Sequence, residues 1–186
     1  MTKIEVQLQG PDIPANSFLA KPRTMYRAGS RYCRVEEALD SEKGVHGLLI
    51  INEPDYWMVD LVTKTARHGV DSGPTFNCRM PLFADDPQKE AAGLEFGLEM
   101  EFFKAKGATP HEGAVLQNQK TTQYQVEIGN SKLALFRYGT PERPLAVGRV
   151  RGDKGEIFWY SGYGQVPFAA KLFARPGGMK IEQLKP

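Results

Sequence analysis

From Gln117 to Leu184, apolar and polar residues alternate in short runs divided by turn residues, a pattern that strands satisfy and helices do not. Tyr124–Ile128 alternates, Gly129-Asn130 turns, and Leu133–Phe136 continues. Pro144–Val147, the turn Asp153-Lys154-Gly155 and Ile157–Tyr160 follow, and Val166-Pro-Phe168 is expected as a last strand before Leu172–Met179. The first half repeats the rhythm. Lys3–Gln9 reads as a strand, Met25–Leu39 as a long strand or a hairpin bent at Gly29-Ser30, and Gly47–Asn52 as a strand covered on both faces. Tyr56–Val62 and Ala66–Val70 continue it, and Gly73–Phe83 is expected to be extended.

One helix is expected, over residues 86–106. Asp86 supplies an N-cap and Pro87 a first helical residue that needs no N–H, while Lys104, Lys106 and Gly107 mark the end. Ala91, Leu94, Leu98, Phe102 and Ala105 recur at helical spacing, and Glu95, Glu99 and Glu101 are assigned to the wet side. Gly93 and Gly97 are read as a small-residue stripe allowing close approach to a sheet. The fold class that results is mainly β (α+β): a curved antiparallel sheet forming an unclosed β-barrel covered by a helix, in one domain spanning residues 1–186.

Composition narrows the function by exclusion. Twenty-four basic residues against 22 acidic ones leave a net charge of +2, which gives no electrostatic reason to expect nucleic acid. No run approaches the ~20 apolar residues that a membrane helix needs. The histidines His46, His68 and His111 stand far apart, so no metal is expected. Gly-x-Ser-x-Gly is absent, and the glycines near Gly152 and Gly162 precede no helix, so no cofactor is expected either. Asp60, acidic within an apolar strand, faces solvent or caps the turn after it. Cys33 and Cys78 admit two readings: a disulfide between facing strands, which implies an oxidising compartment, or two reduced, half-buried thiols, the simpler reading.

The aromatic residues carry the functional reading. They either fill a core or line a cavity for an apolar ligand, and the candidate ligand-binding residues are Trp57, Leu94, Leu98, Phe102, Phe136, Phe158, Tyr160 and Phe168. The chain also resembles the bacterial lipoprotein-localisation factors (LolA/LolB-like) and related lipoprotein-sorting proteins. The resemblance runs through Tyr26–Glu36, Tyr56–Thr65, the helix, Tyr124-Gln-Val126, Pro144-Leu145 and Phe173–Gly178. It implies a barrel of about eleven strands around helices, holding acyl chains on its concave face, in the periplasm or at the outer membrane. The family's long N-terminal helix is missing, and the lid-holding arginine is left open between Arg31 and Arg34.

The expected function is therefore a non-catalytic envelope protein binding a hydrophobic ligand or a lipidated partner, without nucleic acid and with peripheral membrane contact compatible with that role. The alternatives are a structural or protein-interaction module, and a hydrolase at the barrel mouth using His68, His111 or Asp60. Oligomeric state is not legible.

Overall fold

The computed structural model describes residues 1–14, 20–71, 79–83 and 91–184. The protein is mainly β. Its strands are β1 (Thr2–Gln9), β2 (Arg23–Ala28), β3 (Tyr32–Glu37), β4 (Gly47–Asn52), β5 (Asp55–Asp60), β6 (Thr65–Val70), β7 (Pro110–Leu116), β8 (Gln119–Ile128), β9 (Ser131–Tyr138), β10 (Arg143–Arg151), β11 (Lys154–Gln165) and β12 (Lys180–Gln183). A helix, α1, spans Glu99–Ala105, and a 3-10 turn spans Ala170–Phe173. Hydrogen bonding follows the order β12-β6-β5-β4-β3-β2-β1-β11-β10-β9-β8-β7, so the sheet is open, with β12 and β7 as its edges.

The chain groups into two compact units: residues 1–5, 21–79 and 164–186, and residues 6–20 and 80–163. In the first unit β2 through β6 form an antiparallel meander, while β12 joins β6 in parallel, pairing Lys180 with Thr65 and Gln183 with His68. Alternation places Leu48, Ile50, Trp57, Val59 and Ala66 in one buried cluster, closed by Leu61, Met179 and Ile181. Against β3 and β4 lies the 3-10 turn, whose Phe173 packs beside the Tyr32 ring at 5.3 Å.

In the second unit β7 to β11 pair antiparallel, with bulges at Glu112/Ala114 and Pro144/Ala146. Register places Val147 opposite both Leu135 and Phe158, and Leu133 opposite Val126. Because side chains alternate, one sheet face receives Val126, Leu133, Leu135, Val147, Phe158 and Tyr160, all buried. Fully burying each such side chain stabilises the fold by roughly 1.5–3 kcal/mol.

Several sequence expectations need correction. Helix α1 starts at Glu99, not near residue 86, because Gly93 (φ +89°) and Gly97 (φ +84°) hold left-handed backbone that interrupts any helix through them. They are turn residues, not a packing stripe. The proposed start at Asp86-Pro87 lies outside the described residues, as does most of the expected extended stretch Gly73–Phe83. Glu99, assigned to the wet side, is 1% exposed. Val166–Phe168 is not a strand; instead β7 and β12 are strands that the alternation did not reveal. Cys33 is disulfide-bonded, which sets aside the reduced reading; the chain's other cysteine, Cys78, lies outside the described residues.

Candidate functional site: a covered apolar face

The apolar face of the second unit is covered by the chain's own residues 80–83 and 91–107. Two short passes bridge at Pro81 and Glu95, with Leu82 N–H donating to the Leu94 carbonyl (3.1 Å) and Phe96 N–H to the Met80 carbonyl (2.8 Å). This backbone is irregular, because turns at the positive-φ glycines replace helix. Its side chains go inward: Leu94 and Phe103 are fully buried, and Met80, Leu82, Phe83, Phe96 and Phe102 nearly so. Phe96 meets Phe158 edge-on at 5.2 Å, and Phe83 meets the same ring at 5.5 Å. Phe83 also lies over the Arg149 guanidinium (4.2 Å), which Glu156 pairs through Nε at 2.6 Å. Helix α1 rests on β8 and β9.

A polar cluster sits within this packing. Glu99, Phe102 and Phe103 fall at i, i+3 and i+4 and share the inward face of α1. Glu99 Oε1 accepts from Tyr160 Oη (2.7 Å) and from the Gly97 N–H (2.9 Å), while Tyr163 Oη lies 3.5 Å from Oε2. Burial pushes the Glu99 carboxyl above its usual range, against the lowering pull of the Gly97 N–H and the Tyr160 hydroxyl. Burial, and then the charge of Glu99, also push both tyrosine hydroxyls up. Nearby, Arg137 reaches Met100 Sδ (3.4 Å) and pairs with Glu142 (2.8 Å).

The candidate ligand residues divide between the two units. Leu94, Phe102, Phe158 and Tyr160 meet in the second unit's interior, with Leu98 half-buried at the start of α1. Phe136 is half-buried on the opposite face of β9 from Leu135, where alternation along the strand puts it. Trp57 belongs to the first unit's core, stacked on His68 at 5.1 Å. Phe168, also in the first unit, is 50% exposed and stacks on Phe173 at 5.7 Å. Glu99, Phe96, Phe103 and Tyr163 were absent from the sequence-derived set; the signal for Glu99 was the reset of helical phase after Gly97.

Two of the three groups offered for hydrolysis, His68 and Asp60, have structural work. His68 uses both ring nitrogens, 2.7 Å from Asp55 Oδ1 and 2.7 Å from Gln183 Oε1, tying β12 to β6 and β5. Asp60 caps the turn that follows it: Oδ1 accepts the Val62 N–H (2.9 Å) and Oδ2 the Thr63 hydroxyl (2.8 Å), and these bonds hold its carboxyl below the usual range. His111 lies on the edge strand β7, exposed. Among the described residues no three His, Cys, Asp or Glu side chains converge as a metal site would require. Arg34, not Arg31, reaches a neighbouring segment's backbone: its Nη1 donates to the Leu172 carbonyl (3.2 Å), and Arg31 sits over the Tyr32 ring.

No protein-family model matches this chain, and no curated protein does. Solved structures do. An uncharacterized conserved protein from Thermus thermophilus aligns at TM-score 0.54 and 12% identity, over 98% of this chain and 90% of that one. At that identity the likeness is one of fold. PNGF-II aligns at TM-score 0.41 and 10% identity over 98% of this chain, which spans 31% of that chain's length. A LolA superfamily protein from Nitrosomonas europaea aligns at TM-score 0.36 and 9% identity, over 94% of this chain and 89% of that one. No helix among the described residues is long and apolar enough to cross a membrane, which leaves β-barrel spanning unaddressed.

Proposed function

We propose that this chain is a non-catalytic binding protein of an oxidising envelope compartment, such as the periplasm, that takes an apolar ligand on the sheet face of its second unit. The ligand is a lipid or the acyl chain of a lipidated protein. The observation that carries this reading is the cover. A face lined by Leu133, Leu135, Val147 and Phe158 is filled by irregular backbone bearing Leu94, Phe96 and Phe103, in place of a second sheet or a long helix. Only the seven residues of α1 are helical among the described residues of that cover, so few regular backbone hydrogen bonds oppose its displacement. An acyl chain replacing it regains about 0.8 kcal/mol per buried methylene.

Two further observations support the reading. The disulfide at Cys33 suits an oxidising compartment. The side chains best suited to acid–base chemistry, His68 and Asp60, have their polar atoms engaged in holding β12 and a turn. The test is titration of delipidated protein with a fluorescent long-chain fatty acid. Saturable binding at one site supports the proposal, and no binding at micromolar protein removes it.

A further inference from the structure

The cover has the chemistry of an amphiphile. It brings a continuous apolar set, Leu94, Phe96, Phe102 and Phe103, and one carboxyl group, Glu99, all buried. An acid in such a place is costly to bury unless its partners repay the loss of water. Here they are the Gly97 N–H within the cover at 2.9 Å and two donors fixed on the sheet, Tyr160 Oη at 2.7 Å and Tyr163 Oη at 3.5 Å, both on β11. The requirement runs both ways. The Tyr160 hydroxyl is buried, its ring packed near that of Phe96, and without an acceptor it would be left unsatisfied. Arg137 on β9 stands beside the same end of the helix, contacting Met100, the residue after Glu99. On the helix, Glu101 adds negative charge near both Glu99 and Tyr163. A ligand that displaces the cover must therefore bring its own acceptor to the tyrosines.

We propose that the ligand is a carboxyl-headed amphiphile, whose carboxyl group takes the position of Glu99 between Tyr160 and Tyr163 while its chain replaces Leu94, Phe96 and Phe103. Glu99 is then an internal stand-in for the ligand's head group. This deepens the proposed function and rests on it. Arg137 on β9, which contacts Met100 and pairs with Glu142, supplies a cation at that end of the helix, suited to an ionised head.

The test compares palmitate with methyl palmitate, which has the same chain and a weaker, uncharged acceptor, on the delipidated full chain. The expected result is palmitate tighter by roughly ten-fold, the worth of one good hydrogen bond to a charged acceptor. Tyr160→Phe combined with Tyr163→Phe should abolish that preference, so that the double variant binds palmitate no more tightly than methyl palmitate. Glu99→Ala, which removes the competing internal carboxyl, should bind palmitate more tightly than the wild type. Equal affinity for acid and ester in the wild type, or weaker palmitate binding by Glu99→Ala, overturns the head-group assignment while leaving an apolar site. Failure of both probes to bind removes the site and the assignment together.

Discussion

The Tyr160 hydroxyl donates to Glu99 Oε1 across 2.7 Å, joining β11 to the first residue of α1, and both side chains are buried. The bond ties the cover to the sheet at a point where neither partner can turn to water instead. It also makes the cover's hold depend on protonation.

With its carboxyl raised by burial, Glu99 stays protonated in the fold at pH values where the unfolded chain has already lost that proton. Stability from this group is fully present below the ordinary glutamate value of 4.5 and is lost as pH rises through the raised folded value. Melting temperatures of the wild type should fall across that window relative to those of Glu99→Gln, which has no proton to release. Parallel profiles for the two proteins would show that Glu99 does not govern this pH dependence.

Gly97→Ala should destabilise the second unit. At φ +84° a Cβ meets the steric penalty of left-handed backbone, about 1–2 kcal/mol. Gly164→Ala is the matched control, since a Cβ there meets nothing within 4 Å and its φ is ordinary. Chemical denaturation distinguishes them: Gly97→Ala lowers the midpoint and Gly164→Ala leaves it nearly unchanged.

Leu94→Ala should cost about 2–5 kcal/mol, as expected where a fully buried leucine leaves a cavity. Phe136→Ala, on the half-buried opposite face of β9, should cost less. A larger loss at Phe136 would mean that the covered face is not the unit's main core.

His68→Ala should speed hydrogen exchange at Lys180–Gln183, because the imidazole bonds Gln183 and packs on Trp57 beside that short strand. Fatty-acid binding should be unaffected. Loss of binding or of any hydrolytic activity in this variant would return His68 to the functional site.

Much of the β framework was legible because period-two alternation survives wherever one face is buried and the other is wet. Met25–Leu39 resolved into the β2–β3 hairpin turned near Gly29, and Asp60 proved to be a turn cap. The parallel strand β12 was hidden, since Lys180–Gln183 is short and its partner β6 lies more than a hundred residues away. Edge strand β7 is largely exposed, so it has no apolar period to read. The candidate site was read only in part for a different reason. Helical spacing was carried across Gly93 and Gly97, whose conformation ends that spacing, and the helix that starts afterwards turns Glu99 inward. Alternation also could not tell which aromatic residues share a unit, so Trp57 and Phe168 were grouped with Phe158.

Hydrogen exchange across Glu99–Ala105 and the Leu94–Phe96 amides, measured with and without saturating palmitate, tests most directly whether the cover yields its place to a ligand. The account predicts saturable binding together with faster exchange in both segments, while the amides pairing β9 with β10 stay protected. Binding that leaves the cover's exchange unchanged, or no binding at all, would contradict it.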